Sequence, residues 1–214
     1  MTIAFAFGLQ WLLGFLLVRW LWPAGQLAGS RVLRCSLAVG AGAGLVSVVW
    51  FAHLVLLGAA HRQNVVAVEF VLLAALAVAN RRDRHAGDRP VAAARERGVA
   101  LAAAVCGIAA VGALVSFALA TMSNPHGVVD ALTIWNMRAH LLFDSGDAWR
   151  RAFDGQSLHH VDYPLLVPIT VARAWQYAGD TSTVVPAVNA CAFTFAAAGV
   201  CWGALRLLRG SVAA

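Results

Sequence analysis

Between two long apolar segments, residues 122–163 collect Asp130, Arg138, His140, Asp144, His159, His160, Asp162 and Tyr163. Carboxylates, imidazoles and a guanidinium at such a boundary could move a proton and hold a polar ligand. A carboxylate partly withdrawn from water has a raised pKa, the direction a general base needs, and Asp130 is the candidate for that role. Its other reading is a helix N-cap, because Asp often follows a turn and accepts a backbone hydrogen bond there. His159, His160 and Asp162 with Asp130 offer nitrogen and oxygen ligands to a cation, but their spacing matches no strong metal motif. The expectation is therefore no metal and no cofactor, with His160 and Asp162 positioning a substrate.

Two more charges lie within apolar segments themselves. Arg173 sits inside residues 164–178, where a charge either lines a polar cavity or snorkels to the interface. Glu69 sits inside residues 65–79 and either pairs with His53 or lies near the boundary.

Helices must position these groups. Asn124-Pro125-His126-Gly127 is a turn signal, and from there Val128, Leu132, Trp135, Ala139, Leu142 and Phe143 recur at helical spacing. They form one apolar stripe, the pattern of a helix lying in the membrane interface. Asp130, Thr133, Met137, His140 and Asp144 fall on the opposite face, interrupted by Ile134 and Leu141. Gly146 ends this helix, and Asp147 to Arg151 begins a second short one in which Trp149 reads as an interface anchor. Pro164 suits the first turn of the next helix.

The surrounding chain is membrane-grade. Of its 214 residues 61% are hydrophobic and 12% charged, outside the usual composition of soluble domains. Apolar segments at 3–22, 32–57, 65–79, 99–119, 164–178 and 184–208 predict an all-α, polytopic transmembrane bundle of five or six spans, with interfacial helices in one external loop. Residues 1–97 form an N-terminal set of spans with a basic linker, and residues 98–214 a second unit containing the loop. The first segment has no basic residue before it and Arg19 at its far end, the reverse of a secretory signal peptide, so it reads as an uncleaved span. Cys35, Cys106, Cys191 and Cys201 all lie in apolar stretches without ligand spacing and read as small buried residues.

The net charge of +6 comes from arginine alone and clusters beside the spans, which points to lipid headgroups rather than nucleic acid. Arg81, Arg82, Arg84, Arg89, Arg95 and Arg97 form the densest basic stretch and mark it as cytoplasmic. Counting from there places the N-terminus and residues 122–163 outside, on a bacterial inner membrane. With six crossings Arg206 and Arg209 also fall outside, against the positive-inside rule. Either residues 164–178 do not cross fully, or the chain is part of a longer protein.

In order, Gly127-Val-Val-Asp130, then Trp135-Asn-Met-Arg138-Ala-His140, then Gly146-Asp147, then His160-Val-Asp162-Tyr163-Pro164-Leu165-Leu166 resemble the first external loop of GT-C glycosyltransferases. The likeness is to members that use a polyprenyl-phosphate sugar, such as protein O-mannosyltransferases and aminoarabinose transferases, and it covers about residues 100–208. It implies that Asp130 is the catalytic carboxylate, and that Arg138 and Arg173 hold the leaving phosphate. His140, His160, Asp162 and Tyr163 complete the implied substrate-binding set. A lipid-linked sugar donor and an acceptor outside the membrane are the implied ligands. Two features depart from the pattern: Ala131 stands where many relatives have a second acidic residue, and three spans precede the matching unit.

Two other readings compete with an enzyme. A non-catalytic relative would keep the loop as a binding or assembly module, with a membrane partner subunit. A transporter would use Glu69 and Arg173 in a polar path, although no inverted repeat is visible.

Overall fold

The computed structural model describes residues 2–22, 31–81, 99–143, 147–155 and 162–209. Every regular element among them is helical. They are α1 (Ile3–Leu21), α2 (Arg31–Leu57), α3 (Arg62–Ala79), α4 (Val99–Ser123), a π-helical turn (Ala131–Asn136), α5 (Met137–Phe143), a 3-10 turn (Asp147–Phe153), α6 (Leu166–Ala178) and α7 (Val184–Arg209). Five of these helices, α1, α2, α3, α4 and α7, are long and apolar enough to cross a membrane. The protein is thus an all-α bundle of membrane-grade helices.

Helices surrounded by lipid gain little from hydrophobic burial against each other, so close approach and polar contacts decide their packing. The α1–α2 pair shows the first. A Cβ on Gly14 would collide with the Ala38 carbonyl and the Gly42 backbone, and one on Gly42 with the Gln10 carbonyl. The two backbones meet where neither residue has a side chain. Gly199 of α7 instead leaves room for the side chain of Ser36 of α2, which a Cβ there would strike.

The expected fifth crossing takes a different form. Helix α6 has 13 residues, about 20 Å at 1.5 Å per residue, against roughly 30 Å of hydrocarbon. Its Gly179 cap, at φ +88°, turns the chain and donates its N–H to the Trp175 carbonyl at 2.7 Å. Helix α6 lies buried among α1, α2, α5 and α7, with Pro168 to Trp175 and Tyr177 all covered.

Its polar groups are matched in place. Thr170 Oγ1 donates to the Leu166 carbonyl and shares a hydrogen bond with Ser47 Oγ of α2 at 3.3 Å. Gln176 accepts from Trp50 Nε1 at 3.1 Å and donates to the Ala60 carbonyl. Arg173 meets Glu69 of α3 and the Ala6 carbonyl of α1. One core therefore runs across the boundary expected at residues 97 and 98. Helix α4 is the opposite case, since no residue in its 104–123 window is buried.

Candidate functional site

The loop is built from Asn124 onward as its turn signal implies. Gly127 adopts φ +77° and donates its N–H to the Asn124 carbonyl at 2.9 Å, a backbone conformation that favours glycine. Asn136 Nδ2 reaches back to the His126 carbonyl at 3.2 Å and ties the turn to the helix that follows.

That helix opens as a π turn over Ala131–Asn136, not as the regular α-helix its apolar spacing suggested. A π turn holds more residues per turn than an α-helix, so everything after it is rotated relative to a 100° wheel. The expected apolar stripe is divided: Trp135, Ala139, Leu142 and Phe143 pack against the protein, whereas Val128 and Leu132 are exposed. Asn136 and Arg138 turn inward with them.

Arg138 is 1% exposed and donates from Nη1 to the Tyr163 carbonyl at 2.8 Å. Burial pushes its pKa below the ordinary value, and the charge of Asp162 pulls it back up. A guanidinium stays protonated at any working pH, so Arg138 is a fixed buried cation. The Trp135 and Tyr163 rings stack with centroids 5.6 Å apart. Arg138, Asp162 and Tyr163, three of the expected substrate-binding residues, thus lie together although 25 residues separate Arg138 from Tyr163.

The other expected residues are dispersed. Asp130 is exposed, and its side chain makes no capping hydrogen bond, so the cap reading lacks its defining contact. His140 is exposed at its outer edge and packs on Trp175, ring centroids 4.4 Å apart. Trp175 itself is buried and donates its Nε1–H to the Ser182 carbonyl at 2.8 Å. His159, His160 and Asp144 lie outside the described residues. Among the described residues no three His, Cys, Asp or Glu side chains converge on one point. The four cysteines are free thiols, and none is buried as expected: Cys35 and Cys191 are partly covered, and Cys106 and Cys201 lie exposed on apolar helices. Trp149 packs edge-on against Phe153 at 6.0 Å, with Arg150 over its ring.

Arg173 stands elsewhere and corrects one expectation. Its side chain is 0% exposed and forms a two-pronged ion pair with Glu69, Nε to Oε1 and Nη2 to Oε2, each at 2.6 Å. Nη1 donates to the Ala6 carbonyl at 3.2 Å, and the guanidinium lies 4.5 Å from the Tyr177 ring centre. With its donors matched inside the protein, Arg173 neither snorkels nor faces a cavity. Glu69 pairs with Arg173 and not with His53, whose Nδ1 lies 2.8 Å from the Val49 carbonyl.

Beside the loop lies a cavity of about 300 Å³, bounded by the ends of α4, the π turn, α6 and α7. Its walls are mostly apolar, from Phe117, Trp135, Val171 and Phe193, with Gly127 and Ala131 at the loop side. Asn189 of α7 also lines it, 3% exposed, and its Oδ1 has no hydrogen-bond partner among the described residues. A buried acceptor left in that state costs roughly 1–3 kcal/mol. Sequence reading passed over Asn189; its signal was an amide inside an otherwise apolar segment. No protein-family model, no curated protein and no solved structure matches this chain.

Proposed function

We propose that this chain is a membrane glycosyltransferase unit of the GT-C type, moving a sugar from a polyprenyl-phosphate donor to an acceptor at the external face. The observation that supports this reading is the apolar cavity of about 300 Å³ whose loop-side wall includes Gly127 and Ala131; the exposed, uncapped Asp130 does not itself line it but directly precedes Ala131 in the chain. An apolar recess next to a solvent-accessible carboxylate suits a ligand with a lipid chain and a polar reacting end.

In this reading Asp130 takes the proton from an acceptor hydroxyl. The acceptor oxygen bonds to the anomeric carbon as the bond from that carbon to the phosphate oxygen breaks, and the lipid phosphate leaves with the electron pair. Attack opposite the phosphate inverts the anomeric centre. With Arg173 engaged by Glu69, Arg138 is the cation this reading retains for the leaving phosphate; since it is 1% exposed and held by the Tyr163 carbonyl, phosphate access requires its segment to shift.

Five crossings suit the external placement of this loop. With α6 too short to cross, the count from the basic stretch puts residues 122–163 outside and Arg206 and Arg209 inside, as the positive-inside rule requires. The bacterial inner membrane is the proposed location.

One observation favours a second reading. Helix α4 crosses with none of its 104–123 window covered, which suits a chain that docks against another membrane component and serves as a binding or assembly module. Sugar transfer in membrane vesicles separates the two, comparing the natural chain with Asp130→Asn and supplying labelled polyprenyl-phosphate sugars. Loss of transfer in a normally inserted Asn variant supports the enzyme; no transfer from either form supports the module.

A further inference from the structure

We infer that Asn189 is a specificity residue, accepting a hydrogen bond from a hydroxyl or amide group of an amphiphile seated in the cavity between α4, α6 and α7. Asn189 sits six residues into α7, within its crossing-length part Val184–Leu205. Lipid chains cannot satisfy a carbonyl oxygen there, so such a group is retained where a partner meets it. The neighbouring amide, Asn136, already has its partner in the His126 carbonyl. Asn189 Oδ1 is the buried acceptor on the cavity wall still without one among the described residues.

The rest of the cavity describes the ligand. About 300 Å³ lies at the small end of the range for ligand sites, roughly 300–1,000 Å³. Phe117 and Phe193 supply aromatic wall to it. Phe193 also lines a second apolar cavity of about 550 Å³ between α1, α2 and α7. A ligand that fits has an apolar chain and a donor near its polar end. A plain isoprenoid or acyl chain has no such donor. The hydroxyls of a lipid-linked sugar have one, and so does the hydroxyl of a lipid backbone. The assignment rests on reading this cavity as the ligand site, and not on transfer chemistry.

Binding by native mass spectrometry of the full chain in detergent tests it with three probes: a mannosyl-phosphoryl polyprenol, the same polyprenyl phosphate without sugar, and a diacylglycerol. The natural chain is expected to bind a hydroxyl-bearing probe about tenfold more tightly than the sugar-free phosphate, the scale of one hydrogen bond. Asn189→Leu removes that margin and leaves sugar-free binding unchanged; Asn189→Ala reads the same margin if Leu is not tolerated. Ala190→Phe, which fills the cavity, abolishes binding of all three. A margin for the mannosyl lipid assigns the donor to the sugar. A margin for diacylglycerol alone assigns it to a lipid backbone, which upholds this inference while counting against sugar transfer. Equal binding of all probes by the natural chain, or a margin unchanged in both Asn189 variants, overturns it.

Discussion

Glu69 and Arg173 stand 104 residues apart and meet as a two-pronged ion pair with both side chains fully covered. Tyr177 Oη donates a third hydrogen bond to Glu69 Oε2 at 2.6 Å, and Arg173 Nη1 reaches the Ala6 carbonyl. Helices α1, α3 and α6 therefore converge on one charge pair. Removing one member of a buried pair leaves the other uncompensated, at about 3–5 kcal/mol, while replacing both by apolar groups is often near neutral. Glu69→Leu and Arg173→Leu are each expected to destabilise the protein by that amount, and the double variant to recover most of it. Unfolding in detergent, followed for all three variants, checks the recovery.

Asp130→Asn has the contrary signature. The side chain is exposed and makes no capping bond, so stability changes by no more than about 0.5 kcal/mol. If Asp130 is the base, transfer falls by at least about 100-fold. Thermal unfolding and vesicle activity, measured on the same preparation, separate fold from chemistry.

Gly14 and Gly42 meet where α1 and α2 lie backbone to backbone. Gly14→Leu cannot be accommodated by a side-chain shift, because the obstacle is the main chain of α2. Forcing the helices apart is expected to cost at least about 1–3 kcal/mol, whereas Gly8→Leu, with open space around its Cβ, leaves stability nearly unchanged. The comparison uses the same substitution on one helix, read by detergent unfolding.

Arg138 anchors the segment leading into α6 through the Tyr163 carbonyl. Arg138→Met removes a charged hydrogen bond worth about 1.5–3 kcal/mol. Amide exchange over residues 162–166 is expected to speed up by about tenfold or more, with exchange in α1 and α2 unchanged. The effect is the same from about pH 6 to 9, since the guanidinium does not titrate there.

The proposed topology is checked by thiol labelling. In a background without the four native cysteines, cysteine placed at Asp154 is expected to react with an impermeant maleimide on intact cells. Cysteine placed at Arg81 reacts only after the membrane is opened. The reverse pattern would invert the orientation.

The bundle was legible because five apolar runs matched crossing length, and length with hydropathy is a direct physical requirement of the bilayer. Helix α6 was not, because an apolar run reads alike whether its surround is lipid or protein. Its sequence held one discriminating hint, the parity conflict at Arg206 and Arg209; residues 164–178 are no shorter than residues 65–79, which belong to the crossing-length α3. The wheel over Val128 to Phe143 expected one continuous apolar stripe, whereas Val128 and Leu132 are exposed and Ala139 and Leu142 are buried in the protein, a division that follows the π turn no local pattern announced. Glu69 and Arg173 were each visible as costly charges. Their pairing was not, because contact across 104 residues is a property of the packed bundle.

That separation also sets an order of events during synthesis. Glu69 is made with α3, long before its cation exists. At about 5–20 residues per second, the 104 residues between them take on the order of 5–20 s. For that interval Glu69 lacks the partner it has in the folded bundle. The native partner of Glu69 thus becomes available only when α6 is made, so the contact that joins α3 to α6 is among the later ones to form.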